Sequence, residues 1–135
     1  KMETQAKQEF SAARAALDRE EERLKQLFQR KDGYERRAQE LLAGALDVGK
    51  IEENRTAIQR MEDYIAEQRL RVAAAEKNLE QARIRLTEVM MERKTHETLK
   101  EKAFDAFLME EKRQEGKEID ELTSYTYGQR RSAGK

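Results

Sequence analysis

Few side chains in this sequence are of the types that carry out chemistry, and their spacing does not bring them together. The chain has one His and no Cys. His96 has Glu92 and Lys100 one helical turn away on either side, and no further metal ligand converges on it. The run Glu20–Glu22 is typical of a solvated helix face. We therefore expect no metal site, no cofactor and no catalytic residue, and the chain is predicted not to be an enzyme.

The composition favours a long helical protein. Charged residues make up 41% of the 135 residues, against roughly 25% in an ordinary globular domain. The sequence contains no Pro, and period-two alternation and turn dipeptides are nearly absent, which argues against an all-β fold. No run of about 18 apolar residues is present, so we expect no membrane span. The net charge of zero disfavours general nucleic-acid binding.

The first third of the chain follows a heptad repeat with Phe10 at position a. Eleven of the thirteen a and d positions are apolar or aromatic, which indicates a coiled-coil helix. The a positions are Phe10, Leu17, Leu24, Lys31, Ala38 and Ala45, and the d positions are Ala6, Ala13, Glu20, Leu27, Tyr34, Leu41 and Val48. The pattern pauses at two glycines, where Gly44 suits a left-handed C-cap and Asp47 suits an N-cap.

A second heptad register begins at Ile51. Ten of its first twelve a and d positions are apolar, but only two of the next nine are. The a positions are Ile51, Ile58, Ile65, Val72, Leu79 and Leu86, and the d positions are Asn54, Met61, Gln68, Ala75, Ala82 and Val89. Helix-forming composition nevertheless continues to about Tyr127, with Gly116 as an interruption and Gly128 as the end.

These patterns predict an all-α, two-helix antiparallel coiled-coil hairpin with a longer second helix. The single domain comprises helix 1 over about 1–43, a turn at 44–50, helix 2 over about 51–127 and a flexible basic tail at 128–135. An antiparallel fold places Lys1 opposite about Arg93, where the second seam stops. The rest of helix 2 is an overhang that either packs against an N-terminal extension of helix 1 or binds a partner. Its large apolar residues are Leu99, Phe104, Phe107, Leu108, Ile119, Leu122, Tyr125 and Tyr127.

The two rows of heptad g positions share one side of an antiparallel hairpin. This side carries arginines and tyrosines, and no acidic row opposes it until Glu92. It is either a solvated face or a surface for an acidic protein partner. Its residues include Arg23, Arg30, Arg37 and Arg71, beside Tyr34 and Tyr64.

Three segments, which together cover almost the whole chain, carry a resemblance to a known family: EERLKQLFQRKDGYERR, IEENRTAIQRMEDYIAEQRLRV and ERKTHETLKEKAFDAFLMEEKRQEGKEIDELTSYTYGQRR. The resemblance is to the FliJ family of flagellar type III export proteins. It implies a non-enzymatic, cytoplasmic coiled coil, similar to the stalk of rotary ATPases and recruited to the membrane export apparatus through its partners alone. The implied partners are the export ATPase hexamer, the cytoplasmic region of the export gate protein FlhA, and export chaperones.

The resemblance also assigns residues to these partners. The family's gate contact matches Leu27, Tyr34, Met61 and Gln68, the last at a position where relatives often carry His. With the g side added, the expected gate-binding residues are Leu27, Arg30, Tyr34, Met61, Tyr64, Gln68 and Arg71. The expected ATPase- or chaperone-binding residues are Phe104, Phe107, Leu108, Ile119, Leu122 and Tyr125. Three alternatives remain open: an injectisome secretion stalk, a helical arm that binds nucleic acid through Arg23, Arg30 and Arg37, and a structural spacer.

Overall fold

A computed structural model describes residues 2–133 as two helices joined by a short loop. Helix α1 spans Met2–Leu42 and helix α2 spans Val48–Ala133. The helices have 41 and 86 residues, and no strand is present among the described residues. The predicted all-α hairpin with a longer second helix is confirmed.

The loop between the helices is shorter than predicted, because α2 begins at Val48 rather than at Ile51. Asp47 caps this helix: its carbonyl accepts the first helical bond from the Ile51 N–H at 3.1 Å, and its Oδ1 accepts the Lys50 N–H at 3.2 Å. An aspartate N-cap satisfies a backbone donor that the helix itself leaves free. The predicted capping role of Asp47 is therefore present, and α2 begins three residues upstream of the expected start.

The prediction of a left-handed Gly44 was wrong. No described glycine has a positive φ. Helix α1 instead ends with a 3₁₀-type hydrogen bond, which the Ala43 N–H donates to the Glu40 carbonyl at 3.2 Å. A three-residue closure of this type uses a terminal carbonyl without a left-handed residue.

Helix α2 also continues further than predicted. It runs through Gly116 and Gly128 to Ala133, past the expected end near Tyr127. A glycine inside a helix costs only about 1 kcal/mol relative to alanine and does not by itself stop the helix. Most of the tail predicted at 128–135 is thus helical, and its last two residues lie outside the described residues.

The predicted seam between the helices is present. Every a and d position from Ala6 to Leu41 and from Ile51 to Val89 is buried or half-buried. The most buried apolar side chains are Ala6, Met61, Ile65 and Ala75. Burying a large apolar side chain contributes roughly 1.5–3 kcal/mol, so this seam is the main source of stability. The ion pair between Glu9 and Arg85 fits the predicted antiparallel alignment.

Four polar residues occupy seam positions, and each makes a contact between the helices. Gln68 donates to Glu20, and Asn54 donates through Nδ2 to the Tyr34 carbonyl at 3.2 Å. Lys31 lies 3.7 Å from the Glu62 carboxylate. No buried polar side-chain atom lacks a partner among the described residues. Paired polar groups in a seam favour one register, since a shifted register would bury them unpaired.

The chain divides into two compact units, residues 1–90 and residues 91–135. The first unit is the hairpin with its seam. In the second unit, every side chain from Met91 to Gln129 is exposed. Neither helix contains a stretch, within the described residues, that is long and apolar enough to cross a lipid bilayer.

Candidate partner-binding surfaces

The g side of the hairpin forms a groove, which we call the basic groove. It has a volume of about 280 Å³. A second groove adjoins it and shares Arg30 and Tyr64. The two grooves together are lined by all seven expected gate-binding residues: Leu27, Arg30, Tyr34, Met61, Tyr64, Gln68 and Arg71.

Heptad position determines how far each of these seven residues is accessible. Tyr64 occupies a g position and is 49% exposed, and Arg30 and Arg71 are exposed beside it. Met61 and Gln68 occupy d positions and are only 4% and 6% exposed. Those two side chains form the floor of the groove, whereas the tyrosine and the arginines form its accessible walls.

The charges of the basic groove differ from the prediction, because most of its arginines are paired. Arg23 lies 3.5 Å from Glu20, and Arg71 lies 3.1 Å from Glu67. Arg37 pairs in the same way with Glu40 at 3.3 Å. Each partner is three or four residues away on the same helix, a separation that places side chains side by side. The prediction compared only facing heptad positions and so overlooked these neighbours.

Arg30 is the exception among these four arginines. No carboxylate of a described residue lies within 4.0 Å of its guanidinium. Tyr64 lines both grooves together with Arg30. Because a guanidinium presents five donors and can bind a carboxylate with two of them, Arg30 is able to receive an acidic group from a partner.

Gln68 holds the floor of the basic groove in place. Its Nε2 donates to the Glu20 carbonyl at 2.9 Å and to Glu20 Oε2 at 2.5 Å. The second carboxylate oxygen of Glu20 accepts a bond from Arg23. The three side chains thus link α1 to α2 across the groove, and the amide of Gln68 is engaged within the protein.

The second candidate surface lies on α2 and is called the aromatic stripe. It consists of the six residues expected to bind the ATPase or a chaperone, and these side chains are between 48% and 65% exposed. Their spacing of mostly three or four residues, with one longer gap, places them along one face of the helix. They are Phe104, Phe107, Leu108, Ile119, Leu122 and Tyr125.

Sequence reasoning missed the acidic residues within this stripe. Glu111, Glu115 and Glu118 fill the gap between Leu108 and Ile119 at the same spacing of three or four residues. The signal was present in the sequence, but it was missed because the register of the twelve a and d positions from Ile51 to Val89 was extended unchanged beyond Val89. The stripe resumes one residue out of phase with that register.

In two arginine–glutamate pairs outside the candidate surfaces, one in each unit, the arginine lowers the pKa of the glutamate. The hydrogen bond from Arg83 lowers the pKa of Glu80 below its ordinary value, and that from Arg113, with one from Gln114, does the same for Glu110. His96 is exposed. Within residues 2–133, no group of three or more His, Cys, Asp or Glu side chains is arranged to hold a metal ion.

Comparisons with known proteins place the chain in one family. Searches of curated proteins and of solved structures returned no match. Among protein families, the one described as flagellar FliJ protein matches residues 1–132. Since this match spans nearly all of the 135 residues, the chain belongs to the flagellar FliJ family and is a component of flagellar protein export.

Proposed function

We propose that the chain is a stalk-like component that associates with the hexameric export ATPase, promotes its assembly, and links it to the export gate protein FlhA. It also binds export chaperones. In this proposal the chain acts in the cytoplasm and reaches the membrane export apparatus only through its partners. Hydrolysis belongs to the ATPase, and the chain contributes binding surfaces alone.

The observation that carries the gate proposal is the basic groove. Seven residues from two helices line two adjoining grooves, with an exposed tyrosine and an arginine that has no described ion-pair partner. Tyrosine and arginine are the residues most enriched at the energetic centres of protein interfaces. We infer that an acidic or polar segment of the gate protein inserts a side chain between Arg30 and Tyr64.

The pairing of most arginines with glutamates disfavours the alternative of a nucleic-acid-binding arm. Phosphate binding depends on a surplus of positive charge. Arg23 and Arg37 each already have a carboxylate within 3.5 Å. A protein partner that presents few carboxylates, rather than a polyanion, fits this surface better.

The gate proposal is tested with the double variant R30A/Y34A and purified FlhA cytoplasmic region. We expect gate binding to weaken by about tenfold or more, as for a central interface residue, while the helical circular dichroism is unchanged. The matched control is R36A, because Arg36 is exposed and lines neither groove. Binding of R30A/Y34A at full strength would count against the basic groove as the contact.

The ATPase proposal rests on the aromatic stripe. A segment that binds the assembled ring but not the separate subunits shifts assembly by its differential affinity alone. Deleting residues 114–135 removes half of the stripe and leaves the whole seam intact. We expect the truncated chain to retain its hairpin and to lose stimulation of ATP hydrolysis. Stimulation equal to that of the full chain would rule out this role for the stripe.

A further inference from the structure

The aromatic stripe and its glutamates together form a continuous heptad seam that has no helix opposite it in the described structure. We call it the split seam. Its residues alternate at spacings of three and four, which are the spacings of a and d positions. They are, in order, Phe104, Leu108, Glu111, Glu115, Glu118, Leu122 and Tyr125, with Phe107 and Ile119 flanking them, and all are exposed.

The composition of the split seam is divided in a regular way. Both ends are apolar or aromatic, and the three central positions are glutamates. No ion pair joins Glu111, Glu115 or Glu118 to another described residue. Glu110, immediately beside them but off the seam, is paired with Arg113 at 2.8 Å. Glu110 therefore has a cationic partner, whereas the three central glutamates have none among the described residues.

The same charges decide which helix fits the split seam. In a parallel pairing with a second copy, each central glutamate would face its own counterpart. In a centred antiparallel pairing, Glu115 would face Glu111 or Glu118 of that copy. Like charges placed opposite one another in a seam repel, so self-pairing through this face is disfavoured.

A lipid or nucleic-acid phosphate is disfavoured for the same reason. The central carboxylates would repel a phosphate, while the aromatic ends favour an apolar partner surface. A protein helix with basic residues at the middle of its seam fits both the apolar ends and the acidic centre of the split seam. Its apolar ends would bury Phe104 and Tyr125, and its cations would pair with the glutamates.

We propose that the split seam binds a partner helix whose own seam is apolar at both ends and carries lysine or arginine at its centre. The inference rests on the proposed role of this segment in protein binding and names the chemistry of its partner. The glutamates act as the specificity element: they exclude copies of this chain and select the basic helix.

The test uses synthetic peptides and the full chain, so it does not depend on the export ATPase. One peptide of about 28 residues, long enough to form a helix, carries leucine at the outer seam positions and lysine at the three central ones. The matched peptide carries glutamate at those three positions. We expect the chain to bind the lysine peptide about tenfold or more tightly, measured by fluorescence anisotropy.

Variants assign this preference to the seam. In E111Q/E115Q/E118Q the preference for the lysine peptide should largely disappear, and in E111K/E115K/E118K it should invert. The control D105N/E110Q/D120N removes the same number of charges from the other faces of α2 and should retain the preference. Equal binding of both peptides by the unaltered chain, or no binding of either, would overturn the proposal.

A second measurement needs no partner. In E111L/E115L/E118L the split seam becomes apolar throughout, and sedimentation analysis should show self-association at concentrations where the unaltered chain does not associate through this face. If this variant sediments as the unaltered chain does, the glutamates do not govern pairing and the proposal fails. If the unaltered chain does not stimulate the ATPase but still prefers the lysine peptide, only the proposed function is contradicted.

Discussion

Residues 2–90, apart from the loop at 43–47, and residues 91–129 are both helical, but they bury their side chains very differently. In the hairpin, side chains at a and d positions are withdrawn from solvent from Ala6 onward, and Met61 and Ile65 are only 4% and 6% exposed. In the second unit, no side chain from Met91 to Gln129 is buried. Both units thus have a helical backbone, but only the hairpin has an apolar seam buried against a facing helix, which is the main source of helix stability in proteins.

The comparison also separates two ways of using polar residues in a seam. In the hairpin, Gln68 and Asn54 are buried and hydrogen-bonded to the facing helix. In the second unit, Glu111, Glu115 and Glu118 are exposed at equivalent spacing. The buried glutamine and asparagine specify the pairing of α1 with α2. We infer that the three exposed glutamates specify the pairing of α2 with a partner helix.

The largest expected difference between the units is in amide hydrogen exchange. Amides near Ile65 should exchange at least about a hundredfold more slowly than those near Ile119, because the former open only with the hairpin and a lone helix opens readily. Mass spectrometry of peptic fragments measures both regions in one experiment. Equal protection in the two regions would mean that the second unit has a seam of its own.

A matched pair of isoleucine substitutions compares how much one side chain of each unit contributes to the free energy of unfolding. Ile65→Ala should lower the free energy of unfolding of the hairpin by about 2–4 kcal/mol, since it removes a buried side chain. Ile119→Ala should change it by less than about 0.5 kcal/mol, as for an exposed site. Urea denaturation followed by circular dichroism gives both values. A similar loss for the two variants would contradict the assignment of stability to the hairpin.

A matched pair of glutamine substitutions compares how much a side-chain hydrogen bond contributes to the free energy of unfolding in each unit. Gln68→Ala should cost about 1–3 kcal/mol, because it leaves acceptors of Glu20 in the seam without their donor. Gln114, which donates to Glu110 at 3.2 Å on the exposed helix, should be replaceable by Ala with a change below about 0.5 kcal/mol. Thermal unfolding of the two variants checks the difference. If Gln68→Ala were as mild as Gln114→Ala, the register would not depend on this bond.

The smallest expected effect is one that the two units share. Arg83 and Arg113 lower the pKa of Glu80 and Glu110 through the same kind of hydrogen bond. A carboxyl whose pKa is lowered by folding stabilises the folded form above its unfolded pKa, and that stabilisation is lost as the pH falls through the folded pKa. Carboxyl NMR titration of R83Q and R113Q should return each pKa toward its ordinary value. If only one of the two pKa values returned toward its ordinary value, the environments of Glu80 and Glu110 would differ in more than burial.

Much of this structure could be predicted because the heptad pattern is a local property of the sequence. The a and d positions from Ala6 to Leu41 and from Ile51 to Val89 identified the seam and its antiparallel direction. The helix ends were less accurate, since Asp47 starts α2 three residues early and Gly128 does not stop it. Capping and glycine are weak signals of about 1 kcal/mol each, and the neighbouring sequence readily outweighs them.

The candidate surfaces, like the helix ends, could be predicted from the sequence only in part. The sequence placed Arg30, Tyr34 and Tyr64 on one side of the hairpin, because heptad position determines the face. It could not indicate that Arg23, Arg37 and Arg71 are paired while Arg30 is not, since pairing depends on the directions that flexible side chains take. The split seam was overlooked, because its residues lie one position out of phase with the heptad register extended from Val89.

The sequence by itself determined that this chain is helical, that it folds back near Asp47, and where its intrachain seam stops, because spacing and apolar content decide these features. The tertiary structure decided the contacts that act between the helices. Gln68 reaches the Glu20 carbonyl from 48 residues away in the chain, and residues from both helices line the basic groove. Such contacts depend on how closely the helices approach and on which rotamers fit between them, and these are properties of the packed pair rather than of either helix alone.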